Sequence, residues 1–97
     1  MSIARIGKTQ AKPESIEALR QFLLSIMPGI RATKGCESVA LYQSQEDPTH
    51  FTMIEIWDSI EAHKAAIQEI SPDDIAKVKT MLASAPRGEY FSRIQNQ

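Results

Sequence analysis

The chain has 97 residues, of which 42% are hydrophobic and 24% are charged, and its formal net charge is −1. This length accommodates a single domain spanning residues 1–97, and the near-average composition excludes a disordered chain. The 11 basic residues are scattered rather than clustered. The sequence therefore lacks the basic face with which proteins neutralise nucleic acid phosphates, and no nucleic acid partner is expected.

Cysteine usage and hydropathy indicate the compartment. Cys36 is the only cysteine, so no disulfide can form within the chain, as expected in a reducing environment. The N-terminal residues contain no apolar core of a signal peptide, and no apolar stretch approaches the roughly 20 residues that span a bilayer. We therefore expect a soluble, cytoplasmic protein with no membrane partner.

The first third of the chain predicts a strand followed by a helix. Residues 2–10 alternate weakly, as a strand does, and Pro13 suits the first turn of a helix. The apolar stripe of that helix follows spacings of three and four: Ile16, Leu19, Leu23, Ile26 and Ile30. Pro28 is expected to kink or interrupt the helix because an interior proline has no N–H to donate, and Gly35 suits its C-terminal end.

Two β-rich segments follow, at residues 36–44 and 50–57. The segment between them is polar and contains Pro48, which is typical of a turn. A short turn between two strands predicts an antiparallel hairpin.

The last third predicts two short helices and a strand. Asp58 and Glu61 have the spacing of a capping box, and the next helix places Ile60, His63, Ile67 and Ile70 on one face. Ser71-Pro72 is a second helix start, and residues 89–94 form a final strand. The order β-α-β-β-α-α-β predicts an α+β, ferredoxin-like domain with a four-stranded antiparallel sheet and its helices on one face.

Large apolar residues on both faces of the third strand predict a homodimer. One face carries Phe51, Met53, Glu55 and Trp57, and the other carries Thr52, Ile54 and Ile56. A sheet face that meets water should be mostly polar. Since the chain has no further element to cover the second face, a second copy of the chain is the simplest cover. The alternative is a monomer with a few tolerated surface apolar residues.

One part of the sequence resembles the antibiotic biosynthesis monooxygenase (ABM) family. The matching residues are Tyr42-Gln43-Ser44-Gln45-Glu46-Asp47-Pro48, Phe51, Glu55-Ile56-Trp57 and Glu61-Ala62-His63-Lys64. The resemblance implies the dimeric α+β barrel fold. Its superfamily includes quinone-forming monooxygenases, haem-degrading enzymes and isomerases, so fold alone does not fix the reaction. The chain departs from many relatives at Ile70-Ser71-Pro72-Asp73-Asp74, where an acidic pair replaces a second His and an aromatic residue.

His63 is the candidate catalytic residue. It lies on the apolar stripe of its helix, beside Ile60 and Ile67, and therefore points inward. With a reference pKa near 6.5, a histidine there could remove a proton from a bound phenol or enol. The alternative is a buried histidine whose ring nitrogens are satisfied by a neighbour.

The candidate substrate-binding residues are Trp57, Glu55, Tyr42, Phe51 and Met53. Trp57 could form a wall for a flat aromatic substrate, Glu55 could orient His63 or a substrate hydroxyl, and Tyr42 could donate a hydrogen bond to the substrate. The alternatives are an ion pair of Glu55 with Arg5 or Arg93, a surface position for Tyr42, and plain core packing for the apolar residues.

The sequence contains no zinc-ligand spacing, no glycine-rich phosphate loop and no dinucleotide fingerprint, so we expect neither a metal nor a cofactor. Together with the resemblance, this predicts a cofactor-independent monooxygenase acting on a quinol- or phenol-type small aromatic molecule. The alternative is a non-oxygenase binding protein or isomerase of the same fold. A haem-degrading role requires an axial His further along the helix than His63, and the residue ten after Trp57 is Ile67.

Overall fold

The computed structural model describes residues 1–95 and confirms the predicted α+β order. Its elements are β1 (Ile3–Gln10), a 3-10 turn (Pro13–Ser15), α1 (Ile16–Ala32), β2 (Cys36–Gln43), β3 (His50–Trp57), α2 (Ile60–Ile67), α3 (Pro72–Lys79) and β4 (Arg87–Ser92). The strands form one four-stranded sheet in the order β2-β3-β1-β4, and every neighbouring pair is antiparallel. This is the ferredoxin-like fold that the sequence predicts.

The sheet is organised around β1, which lies between strands from the middle and the end of the chain. On one side, Ile3 pairs with Trp57 and Gln10 with His50, so β1 and β3 are paired along their full length. On the other side, Arg5 pairs with Tyr90 of β4. Side chains paired across an antiparallel sheet lie on the same face. The register therefore decides which residues of distant segments share a surface.

Helix α1 continues through Pro28 and ends at Ala32, so the predicted interruption at that proline is not observed. Pro28 is exposed and close to the end of the helix, where the loss of one backbone hydrogen bond has little consequence. Beyond the helix, Gly35 has a φ of 91°, and a Cβ there would lie 2.6 Å from the Cβ of Ala62. A glycine is required for both reasons, and it allows α2 to pack closely against the start of β2.

The N-termini of the two short helices are capped by serines. Ser59 caps α2 by accepting a hydrogen bond from the backbone N–H of Ala62, so the cap is Ser59 rather than the predicted Asp58. Ser71 caps α3 by accepting from the N–H of Asp73, as the sequence indicates. Both helices have eight residues. No helix within residues 1–95 is both long enough and apolar enough to cross a bilayer.

The core lies between α1 and one face of the sheet. Leu19, Leu23, Phe51 and Ala11 form its buried cluster. The two short helices pack less tightly against the same face, since Ile67 of α2, Ile75 of α3 and Ile70 between them remain exposed. The loose packing of α2 and α3 leaves space over the other half of the sheet face.

Two leucines of α1 should differ sharply in their contribution to stability. Leu19 is 0% exposed, whereas Leu24 on the outer side of the same helix is 45% exposed. We expect Leu19→Ala to lower the free energy of unfolding by about 2–5 kcal/mol because it leaves a cavity, and Leu24→Ala to change it by less than about 1 kcal/mol. Urea unfolding of both variants measures this, and equal losses would contradict the assigned core.

Candidate functional site

A row of polar side chains crosses the helix-covered face of the sheet. Glu55 of β3 pairs with Arg5 of β1, which in turn pairs with Tyr90 of β4. The three side chains therefore lie side by side on one face. Trp57 follows two residues after Glu55 and faces the same way, and His63 of α2 lies against it from the helix layer. The fold thus brings together residues from four separate elements.

His63 lies at the centre of this group and contacts Trp57, Tyr90 and Glu55. Its Nδ1 is 2.7 Å from the hydroxyl oxygen of Tyr90, which is hydrogen-bond distance. Its Nε2 is 3.9 Å from Oε1 of Glu55, too far for a direct hydrogen bond. The same Glu55 oxygen accepts a 2.8 Å hydrogen bond from the indole N–H of Trp57. The His63 ring also makes edge-to-face contacts with Trp57 at 5.5 Å and with Tyr90 at 5.4 Å.

Arg5 supports Tyr90 rather than pairing with Glu55. Its guanidinium carbon lies 4.6 Å from the centre of the Tyr90 ring, the geometry of a cation–π contact. Space for this arrangement is provided by Gly88, where a Cβ would overlap the guanidinium. No ion pair joins Glu55 to Arg5 or Arg93 within residues 1–95, so the predicted structural ion pair is not the arrangement found.

Burial favours the uncharged forms of both Glu55 and His63. It raises the pKa of Glu55, against the opposing effects of the Trp57 hydrogen bond and the Arg5 charge. It lowers the pKa of His63, and the nearby positive charge of Arg5 lowers it further. A Glu55–His63 ion pair would instead raise the pKa of the histidine. We therefore regard the 3.9 Å contact as a gap between a carboxyl group and a neutral imidazole at pH 7.

A cavity of about 650 Å³ opens over this group, between α1, the α2–α3 segment and the sheet. Glu55, Trp57 and His63 form part of its wall, where Trp57 and His63 are buried and Glu55 is half-buried. Its apolar lining includes Phe22, Ile26, Ile30, Ile67, Ile70, Ile75 and Val78. Its size is within the range of small-molecule sites, and a mainly apolar lining with a few polar groups is their usual composition.

The structure brings three of the predicted site residues together in this cavity: His63, Glu55 and Trp57. Phe51 belongs to the buried core, and Met53 packs against that core, so neither side chain lines the cavity.

Tyr42 is also separated from the cavity. It pairs with Thr52, whose side chain points to the opposite face of the sheet from Glu55, and it is 59% exposed. Strand parity explains the difference, since Tyr42 and Glu55 belong to opposite faces.

Sequence reasoning missed Tyr90 and considered Arg5 only as an ion-pair partner. Tyr90 contacts both His63 and Arg5. Its strand, β4, is far from both residues in the sequence, so no local pattern connects them. The alternation of β4 could have placed Tyr90 on one of two faces, but only the pairing of Arg5 with Tyr90 identifies the face.

Two further expectations from the sequence concerned an axial haem ligand on α2 and a metal site. Ile67, ten residues after Trp57, lines the cavity with an apolar side chain. Within residues 1–95, no three His, Cys, Asp or Glu side chains are close enough together to hold a metal ion.

The sequence model of the family described as antibiotic biosynthesis monooxygenase matches residues 2–69. The chain therefore belongs to this family. No curated protein matches the chain.

Solved structures with the same fold include three bacterial proteins. A protein of Chloroflexus aurantiacus J-10-fl that carries the antibiotic biosynthesis monooxygenase name is 28% identical, with 100% of this chain and 97% of that chain covered and a TM-score of 0.78. Rv0793 from Mycobacterium tuberculosis is 23% identical, with coverages of 99% and 98% and a TM-score of 0.85. A Nitrosomonas europaea protein of the same monooxygenase name is 18% identical, with coverages of 98% and 92% and a TM-score of 0.86.

The pKa shift of Glu55 makes a prediction about stability and pH. Its folded-state pKa is raised, so its stabilising contribution is present below its ordinary pKa of 4.5 and is lost as pH rises through the folded value. The amide of Glu55→Gln never ionises. We therefore expect the free energy of unfolding of this variant, relative to that of the wild type, to increase as the pH rises through the folded-state pKa of Glu55. Urea unfolding at several pH values measures this. The exposed Glu61→Gln is the control, and parallel pH profiles of wild type and Glu55→Gln would contradict the assigned burial.

Proposed function

We propose that this protein is a monooxygenase that oxidises a quinol- or phenol-type aromatic molecule without a metal or an organic cofactor. The observation that carries this proposal is the 3.9 Å gap between Nε2 of His63 and Oε1 of Glu55 in the wall of an apolar cavity. Both groups can exchange a proton, and both are held by other side chains. A substrate hydroxyl on the cavity side of the pair, off the line that joins the two atoms, could lie within hydrogen-bond distance of both.

The cavity suits a flat aromatic substrate. The indole of Trp57 is buried and provides an aromatic wall next to the polar pair. The isoleucines of α1 and of the α2–α3 segment supply apolar contacts, and a substrate bound against them would displace water from the polar pair. Exclusion of water strengthens the electrostatic interactions of Glu55 and His63 with the substrate.

In the proposed reaction, one residue of the His63–Glu55 pair removes the substrate's hydroxyl proton. The electron pair spreads into the ring, and a ring carbon attacks O₂ to form a new C–O bond. The resulting peroxide loses the hydrogen of that carbon and breaks its O–O bond, which releases water and leaves a quinone. One phenol and one O₂ give one quinone and one water, so O₂ is the only oxidant needed. The sequence predicts His63 as the proton acceptor, and Glu55 is the second possible acceptor in this geometry.

The apolar outer face of the sheet supports the homodimer. Ile54 and Ile56 of β3 point away from the helices, and Phe91 of β4 and Tyr42 of β2 lie exposed on the same face. No element within residues 1–95 covers that face, because the three helices lie on the other one. We propose that a second copy of the chain covers it, since burying each large apolar side chain contributes about 1.5–3 kcal/mol to association.

The acidic cavity rim favours a second function, a binding protein or isomerase of the same fold. Of the acidic pair that departs from the family pattern, Asp74 lines the cavity, as does Glu69. These carboxylates would repel the anionic form of a bound quinol, and they would attract a substrate that carries hydrogen-bond donors. Ligand binding without oxygen uptake would favour this second function.

Oxygen consumption with a panel of hydroquinones and naphthols tests the proposed monooxygenase. We expect the wild type to consume O₂ and His63→Ala to lose about tenfold or more of that rate, because the substitution removes either the proton acceptor or a hydrogen bond to the substrate oxygen. His50→Ala is the matched control, since His50 is exposed and remote from the cavity. Absence of turnover by the wild type, or full turnover by His63→Ala, would overturn the proposal.

Sedimentation equilibrium tests the proposed dimer. We expect the wild type to sediment at twice its chain mass of 10.8 kDa at micromolar concentration. Ile54→Lys should shift it to the mass of one chain because a charge would be buried in the interface. Leu24→Lys places the same charge on the exposed side of α1 and should leave the dimer intact. A wild type that sediments as a single chain would contradict the proposal.

A further inference from the structure

The identity of the proton acceptor depends on the tautomer of His63. A neutral imidazole carries its proton on one nitrogen only, and the hydrogen bond of the other nitrogen decides which. Nδ1 of His63 contacts the Tyr90 hydroxyl at 2.7 Å, while Nε2 is on the cavity side near Glu55. If Tyr90 donates its proton to Nδ1, then Nε2 carries a hydrogen toward the cavity. If Tyr90 accepts, then Nε2 presents a lone pair.

Arg5 makes Tyr90 the donor. Its guanidinium lies over the Tyr90 ring, 4.6 Å from the ring centre. A positive charge at the ring face withdraws electron density from the phenol oxygen, which strengthens its O–H as a donor and weakens the oxygen as an acceptor. Arginine keeps its charge at any pH the protein meets. The Tyr90 proton is therefore directed at Nδ1.

Glu55 favours the same tautomer from the other side of the ring. When the Glu55 carboxylate is ionised, its Oε1, 3.9 Å from Nε2, is attracted by an N–H and repelled by a lone pair. Within residues 1–95, Nε2 makes no hydrogen bond, and no buried side-chain nitrogen or oxygen is left sealed without a partner. Nε2 therefore opens on the cavity, where a substrate oxygen can accept its hydrogen.

We propose that Tyr90, with Arg5 on its ring, is a positioning residue that holds His63 in the Nε2–H tautomer, so that Glu55 takes the substrate's proton. This rests on the proposed function and deepens it. In the step, the substrate O–H bond breaks and the proton goes to the Glu55 carboxylate. The electron pair stays on the substrate oxygen, which accepts a hydrogen bond from His63 Nε2–H. His63 remains neutral throughout, and Trp57 stays bonded to the Glu55 carboxyl group.

The charged and titratable groups around the pair agree with this assignment. Arg5 and Tyr90 lie on the sheet side of His63, and Glu69 and Asp74 line the same cavity from the helix layer. Because burial raises the pKa of Glu55, its carboxylate is a stronger base than an exposed one and becomes competent as pH rises through that value. Burial lowers the pKa of His63, which favours the neutral ring that this tautomer assignment requires.

Nitrogen-15 NMR of the imidazole in the full chain tests the tautomer without any substrate. We expect Nε2 of His63 to show the chemical shift of a protonated ring nitrogen and Nδ1 that of an unprotonated one. Tyr90→Phe should convert this into a mixture of tautomers, because the donor to Nδ1 is gone. Tyr42→Phe removes a hydroxyl on the opposite sheet face, away from His63, and should leave the His63 tautomer unchanged. A wild-type ring protonated at Nδ1 would overturn the proposal.

Two glutamine variants test the role of each residue in oxygen uptake. Glu55→Gln should lose about 100-fold or more because the proton acceptor is removed. His63→Gln keeps an N–H donor and should lose about tenfold or less, which is a hydrogen-bond-sized effect. The reverse order of losses would make His63 the base and overturn the proposal. The NMR spectrum does not depend on turnover. A wild type that binds ligand without oxygen uptake would therefore contradict the proposed function, and the spectrum would still test the positioning role of Tyr90.

Discussion

The burial of a carboxyl group beneath a helix is the constraint on which the site depends. Glu55 lies on the helix-covered face of the sheet, and an unpartnered carboxyl group there would cost several kcal/mol. The indole of Trp57 supplies a partner, Tyr90 supplies one for His63, and Arg5 lies against Tyr90. Each polar side chain is therefore held by the next. This chain of contacts fixes the side chains that face the cavity, as a functional site requires.

The cavity and the core divide the same layer of the molecule. Over one half of the sheet, the long helix α1 packs Leu19 and Leu23 against Phe51. Over the other half, α2 and α3 are too short to fill the space, and Ile67 and Ile75 remain exposed. A small domain buries a modest fraction of its surface, so such space is kept open only at a cost in stability. That cost is consistent with a ligand-binding role.

Relatives with 18–28% identity share the fold, which shows that very different sequences satisfy the same packing. The fold therefore identifies the family, while the reaction depends on the particular side chains in the cavity. In this chain, those side chains include a carboxyl group and an imidazole separated by 3.9 Å. The acidic residues Glu69 and Asp74 add two further carboxyl groups to the lining of the same cavity.

Local patterns were sufficient for much of the site. Because Glu55 and Trp57 are two residues apart in a strand, alternation places them on one face, and the helical stripe turns His63 inward. The same alternation places Phe51 and Met53 on the face of Glu55 and predicts them as pocket residues, although the structure places them in or against the core. One face of a strand can line the cavity at one end and pack in the core at the other. Alternation identifies the face but not the residue at which the cavity gives way to the core.

The sequence by itself determined the order of elements, the α+β fold, and the faces on which Glu55, Trp57 and His63 lie. The tertiary structure decided the rest: that Arg5 is beside both Glu55 and Tyr90, that Tyr90 reaches Nδ1 of His63, and that Tyr42 lies on the far side of the sheet. The physical reason is that element type follows from local periodicity, whereas the register between β1 and its distant partners β3 and β4 is set by the packing of the whole sheet.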